Sequence, residues 1–368
     1  MRPQLFLTGI LLLVVPEFLR VYFIMPFPGS QQDVPGDARQ VEIAYWLHNH
    51  IWWLRMIGLA LIAGPTVHYL RFDGWGKRIT VALALLLSVA VAYAFNFRFM
   101  ADKMFLELTE KVLRPVSPID GASDALVLVV ERQGDARAFP VSIIGYHHQV
   151  SDTIAHEPVL ITYCTVCRTG RAFSPVIEGE ADRFRLVGMD HFNAMFEDSR
   201  TKSWWRQVSG ECIAGPLKGG RLVELPSSQM SLGEFARRHP SGKVLQPDPH
   251  FLAKYQGLEG FDDGTITSTL EQRDTASWQR KSWVLGVLHK GAARAYDWND
   301  LLALRTVSDT LANDTIFINL KADNASFEVI READRHAGIT PEHIRAYQEF
   351  WHSWRTFQPS TTRYQPAR

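Results

Sequence analysis

The sequence predicts a multi-pass α-helical membrane anchor followed by a mainly β, β-rich α+β soluble domain with an internal duplication. Three observations carry this expectation. The first hundred residues hold three apolar runs and little charge, while almost all of the 39 basic and 39 acidic residues lie beyond them. Past residue 105 the chain alternates short apolar stretches with Gly, Asp, Ser and Pro, the pattern of strands and turns. Two segments of that region also align on one another without a gap.

The apolar runs cover about residues 5–24, 51–70 and 79–97. Each has about the 20 residues that a helix needs to cross a hydrocarbon core. The first lacks a small-x-small cleavage site, carries Pro16, Glu17 and Arg20 near its end and is followed by two further runs, so it reads as a retained span. Arg2 precedes the first span, and Arg71, Lys77 and Arg78 join the second to the third; the intervening loop offers only Arg39. The positive-inside tendency then places the N-terminus in the cytoplasm and the C-terminal domain in the periplasm or outside, on a chain held in the cell's inner membrane. Tyr45, Trp46, Trp52 and Trp53 fit an aromatic belt at the outer interface, with Arg55 snorkelling to it. The bilayer is the first partner that this layout implies. The even charge balance gives no reason to propose nucleic acid.

Residues 127–161 match residues 284–318 at an offset of 157, with thirteen of the 35 positions identical. Both copies read as strand, tight Gly turn (Gly134, Gly291), strand, then Val-Ser-Asp-Thr and a further apolar strand. Arg137/Arg294 and Asp152/Asp309 recur in both, which suits an ion pair closing the motif. His147, His148, Cys164 and Cys167 occur in the first copy alone; their counterparts are Leu304, Arg305, Lys321 and Asn324. The domain boundaries implied are 1–104 for the anchor, 105–335 for the β-rich domain and 336–368 for a C-terminal helix and tail. A short helix is expected from Ser231, capped with Glu234 three residues on. Another is expected from Thr340-Pro341, with Ile344, Tyr347, Trp351 and Trp354 along one stripe. So much Trp also leaves room for another membrane protein as partner.

The chemistry-bearing segment is PVLITYCTVCRTGRAFSP. Gly170 and Pro175 exclude a long helix after Cys167, so the thiolate-lowering helix N-terminus of a thioredoxin-type motif is not expected. A knuckle is expected instead, a turn whose backbone N–H groups point at two thiolates and which suits zinc or copper(I). Further ligands would come from His148, His147 or His191, with Met189, Met195, Cys212 and Trp204 in the surrounding shell. Two alternatives stand beside the metal: thiol–disulfide redox work by Cys164 and Cys167, and a structural disulfide in a non-catalytic membrane assembly protein. Neither a nucleotide nor a flavin motif is seen, nor a Ser-His-Asp set or a His-Glu-x-x-His run. GPLKGG lacks the Gly-Lys-Ser/Thr ending of a phosphate loop.

On YCTVCRTGRAF, SWWRQVSGECIAGPLKGGRL and the two Ala-Arg-Ala-aromatic hairpins, the domain resembles the DUF3179 family of unknown function over roughly residues 120–325. That family's usual pattern has Pro-Leu between the cysteines, where this chain has Thr165-Val166. The resemblance implies no activity, and the three-span N-terminus would be an elaboration outside the core domain.

Overall fold

The computed structural model describes residues 3–27, 29–31, 39–335 and 344–366. Three helices, Pro3–Tyr22, Arg39–Phe72 and Trp75–Phe97, are long and apolar enough to cross a membrane. The second has 34 residues, about 51 Å at 1.5 Å per residue, which exceeds a hydrocarbon core of about 30 Å. Its extra length is the N-terminal portion before the apolar run. There Val41 and Ala44 leave the helix bundle and pack with Ile24, which follows the first helix, and with Val187, Met195, Trp204 and Ala214 of the following domain. Tyr45 turns the same way, edge-on to Trp204 at 5.2 Å, whereas Trp46, Trp52 and Trp53 stay exposed.

Charge inside the bundle is paired. Glu17 accepts from Arg55 Nε at 2.6 Å, from Asn96 Nδ2 at 3.0 Å and faces Arg20 Nη2 at 2.8 Å. Asn96 Oδ1 accepts in turn from Arg20 and Arg55. Arg55 therefore ties the second helix to the other two rather than snorkelling alone. An unpaired ion buried between these apolar helices would be costly, and the pairing offsets this.

The β-rich part is built from several sheets. One, of five strands, has the order Leu113–Pro115, Lys243–Leu245, Asp135–Pro140, Leu126–Arg132, Ser227–Ser231. A four-stranded sheet runs Glu224–Leu225, Thr169–Phe173, Glu157–Cys164, Gln149–Ile154, and another Cys212–Ala214, Trp204–Arg206, Asn193–Asp198, Phe184–Asp190. Each of the two aligned segments folds as hairpin, seven-residue helix and hairpin. The helices are Val141–His147 and Trp298–Leu304, which the sequence pattern did not reveal. Arg137 reaches Asp152 at 2.7 Å and Arg294 reaches Asp309 at 2.6 Å, closing each segment as expected. Ser231 caps the helix Leu232–Arg238 by accepting from the Glu234 backbone.

The C-terminal expectation is corrected. Thr340 and Pro341 lie outside the described residues, and Arg345–Phe350 is a strand paired antiparallel with Trp283–His289. Only Trp351–Phe357 is helical. The stripe was therefore a strand running into a helix: Tyr347 and Trp354 are both buried, but in different elements. Gly286 on the paired strand lies flat under Trp354, and a Cβ there would meet the indole at 2.2 Å. Gly286→Ala is expected to lower stability by about 1–3 kcal/mol through overpacking, read as a fall in denaturation midpoint.

Candidate functional site

The strand Glu157–Cys164 is buried on both faces from Val159 onward, pairing with Thr169–Phe173 so that Cys164 faces Thr169. Residues 165–168 form the turn, with Arg168 at φ 56°, and Cys167 sits within it. A strand, not a helix, follows the motif. Both sulfurs are fully buried, and both lie 3.4 Å from the carbonyl oxygen of Phe192.

Phe192 belongs to the tight turn between Phe184–Asp190 and Asn193–Asp198. Its residues His191 and Phe192 have φ of 51° and 64°. Such left-handed pairs usually take Asn-Gly, and bulky residues there cost about 1–3 kcal/mol each. The turn is held from outside: Phe192 N–H donates to Gln31 Oε1 at 3.1 Å, and the Arg280 guanidinium lies 4.9 Å from the Phe192 ring. Gln31 follows the first N-terminal helix, and Met189 N–H donates to Ile24 O at 2.6 Å nearby.

The two thiols are not equivalent. Burial alone would raise Cys164, but the Cys167 thiol and the backbone N–H groups of Ala194 and Cys167 point at it, and Lys281 lies close. Together they hold Cys164 below the ordinary thiol value. Burial, and then the negative charge on Cys164, push Cys167 well above it. Lys281 donates to Val166 O and Leu270 O, each at 2.5 Å, and burial lowers its ammonium to about 8. From the C-terminal segment, Phe350 N–H donates to Cys167 O at 3.0 Å and His352 Nε2 meets Val166 O at 3.1 Å. The Ser353 hydroxyl, directed at the Cys167 sulfur, offsets part of that rise. Lys281, Phe192 and Ser353 belong to no motif and were missed in the sequence.

The other expected residues are placed as follows. His147 is engaged by Leu106 O at 2.5 Å and by the Tyr255 hydroxyl at 2.7 Å. His148 stacks on Phe105 at 4.5 Å, and burial lowers it to about 4, so it is neutral. His191 bonds Asp190 at 2.6 Å. Met189 and Cys212 share the cysteines' apolar cluster, and burial raises Cys212 to about 11. Met195 and Trp204 lie in the cluster that faces the N-terminal helices. Trp205, one residue on, is the indole that shares the apolar cluster of Cys164 and Cys167. Among the described residues no group of three or more His, Cys, Asp or Glu side chains is arranged to hold a metal ion. What the turn itself offers is two buried sulfurs.

A cleft of about 570 Å³ opens beyond Arg168, whose guanidinium stacks on the cleft-lining Trp283 at 3.8 Å; neither cysteine lines it.

A family model described as "Protein of unknown function (DUF3179)" matches residues 112–361. No curated protein and no solved structure matches the chain.

The asymmetry of the pair has a direct readout. Iodoacetamide is expected to alkylate Cys164 before Cys167, with a pH midpoint below the roughly 8.5 of a free thiol. Lys281→Gln keeps a donor but removes the cation and should raise that midpoint. Equal labelling of both thiols would contradict the assignment.

Proposed function

This chain belongs to the DUF3179 family, described only as of unknown function, and from that premise we propose that Cys164 and Cys167 form a thiol–disulfide redox centre. In this reading the three N-terminal helices span the bilayer with the N-terminus cytoplasmic, and the β-rich domain lies on the periplasmic or outer side, where disulfide chemistry is favoured. The two aligned segments are a duplication whose first copy alone acquired the thiols.

The observation that carries the reading is the unequal pair. One sulfur is stabilised as thiolate by the other thiol, two backbone N–H groups and Lys281, while its neighbour keeps its proton. This is the division of labour that dithiol exchange requires. The Cys164 thiolate attacks one sulfur of a substrate disulfide, forming a mixed disulfide and expelling a thiolate that takes a proton from water. Cys167 loses its proton and attacks the Cys164 sulfur, closing the Cys164–Cys167 disulfide and releasing the second thiol. Two electrons pass from the protein to the substrate; running the steps backward makes the chain a reductant's target.

Because Phe192 O caps both sulfurs, the His191-Phe192 turn must lift before a substrate enters. Its two left-handed residues make the closed state easier to leave, and Gln31 links that motion to the end of the first helix.

A second reading is a soft-metal site. Two thiolates with backbone N–H groups aimed at one of them suit copper(I), which soft donors select. Zinc takes four ligands in a structural site and would need two more donors beside these sulfurs. A third, a structural staple in a membrane assembly protein, needs neither Lys281 nor the thiol asymmetry.

Full-length protein in detergent carrying Cys167→Ser should accumulate mixed disulfides at Cys164, resolved by non-reducing electrophoresis and peptide mass spectrometry. Cys164→Ser should accumulate none. Copper in near-stoichiometric amount, lost in the double Cys→Ser variant, would favour the metal reading instead. Gln31→Ala should speed alkylation of Cys164 several-fold; an unchanged rate would remove Gln31 from the account.

A further inference from the structure

The cleft beyond Arg168 draws on both aligned segments. Ser142 lines it from the helix Val141–His147, and Trp298 and Leu302 line it from the helix Trp298–Leu304. Asp323, Asn324 and Ala325 line it as well. At the offset of 157, residues 322–325 stand where 165–168, the cysteine turn, stand in the first segment. The turn that buries two sulfurs in one segment therefore borders an open cleft in the other. A further wall comes from residues 255–263, and it is held in place: Arg168 donates to Phe261 O at 2.9 Å and to Asp262 O at 3.0 Å, and Ile266 N–H donates to Gly260 O at 2.9 Å. A preformed cleft of about 570 Å³ is of the size that small molecules occupy.

Its polar groups are unmatched in two ways. Elsewhere in the domain carboxylates are paired, Asp120 with Arg114, Asp152 with Arg137 and Asp309 with Arg294. In the cleft, Asp124, Glu259 and Asp262 form no ion pair among the described residues, and the Asp262 carboxylate accepts only from the Leu126 N–H, at 2.9 Å. Burial raises Asp262 above the ordinary carboxylate range, as it does where no cation offsets it. Arg273 is the only cation among the described lining residues, and its Nη2 donates to Asn299 Oδ1 at 3.0 Å. The second mismatch is of donors. Trp283 is 6% exposed, and the Arg168 and Arg273 guanidiniums lie 3.8 and 4.1 Å from its ring centroid. Neither its Nε1 nor Nε of Arg273 has a hydrogen-bond partner, although buried donors are nearly always paired.

We propose that this cleft binds a dibasic amino acid, whose two cationic groups meet Asp124, Glu259 and Asp262 and whose carboxylate accepts from Trp283 Nε1 and Arg273 Nε. The excess of carboxylates draws a cation into the cleft. A metal ion does not fit, because among the described residues no three carboxylates, histidines or thiols are arranged to hold one. A simple polyamine would answer the carboxylates and leave both donors empty; a neutral sugar would do the reverse. Only a ligand that joins cations to an acceptor answers both. Arg273, tied by its side chain to Asn299, shifts to admit the ligand carboxylate. Neither cysteine takes part, so the site stands whether or not the pair exchanges disulfides.

The test is isothermal titration calorimetry of the full-length protein in detergent near neutral pH. The probes are L-lysine, L-arginine, cadaverine, which is lysine without its carboxylate, and L-norleucine, which lacks the side-chain ammonium. Lysine or arginine should bind once per chain. Cadaverine and norleucine should each bind at least about tenfold more weakly, the loss expected for one charge-assisted hydrogen bond. Asp124 and Glu259 are exposed, so the double variant Asp124→Asn/Glu259→Gln should fold normally and weaken lysine by a similar factor. Trp283→Phe keeps an aromatic ring for the two guanidiniums and removes the N–H; it should weaken lysine and leave cadaverine unchanged. Where Trp283→Phe fails to fold, the double variant and the cadaverine comparison decide. No binding of lysine or arginine overturns the proposal, as does cadaverine or norleucine binding as tightly as lysine. Lysine binding unchanged in the double variant places it outside this cleft and overturns the proposal too.

Discussion

The structure turns on one constraint: two thiols and a lysine are removed from water within the same few residues of apolar core. Burial disfavours every charge, so a thiolate persists there only where it is met by hydrogen bonds and a cation. Cys164 receives both, from the Cys167 thiol, the N–H groups of Ala194 and Cys167, and Lys281. Cys167 receives less and keeps its proton. The lysine is held in turn by two carbonyls of the loops around it. This arrangement makes the pair asymmetric and makes an opening turn and a proton route necessary to any chemistry it performs.

The same core reaches the N-terminal helices. Val21, Met25, Phe95 and Ala101 share an apolar cluster with the two cysteines, and Gln31 holds the turn that covers them. Gly188 permits the close approach, since a Cβ there would lie 2.6 Å from Ile24 O. His48 on the second helix meets Arg185 Nη2 at 2.9 Å, and Arg185 also pairs with Glu197, whose other oxygen accepts from Trp204. The helices themselves are locked by Glu17, Arg20, Arg55 and Asn96. Helix ends and covering turn are therefore one packed unit, and a shift of the first helix would be felt at Phe192.

Much of this was legible in the sequence. The three helices followed from apolar runs of spanning length, the paired hairpins from alternation around Gly134 and Gly291, and the Ser231 cap from its spacing to Glu234. The absence of a long helix after Cys167, where the strand Thr169–Phe173 follows instead, was expected from Gly170 and Pro175. Where the reading failed, the reasons are physical. Helices of seven residues, such as Val141–His147, are too short to show a period. Ile344, Tyr347, Trp351 and Trp354 imitate a helical stripe because a strand and a helix meet at Phe350. Trp204 was preferred to Trp205 because strand parity decides which indole faces the cysteines, and parity depends on register. Lys281 comes from a turn more than a hundred residues beyond Cys167 and Ser353 from the helix Trp351–Phe357 nearly two hundred beyond it, and only the tertiary fold brings them there.

The most direct test of the redox centre is an equilibrium titration of the Cys164–Cys167 pair in the full-length protein. Glutathione and dithiothreitol buffers would set the potential, and acid-quenched mass spectrometry would read the state of the pair. The account predicts a reversible two-electron transition with a midpoint in the range of about −270 to −120 mV spanned by exchange-active dithiols. A pair that stays oxidised below about −300 mV would be a structural staple, and one that never closes would leave the redox centre without foundation.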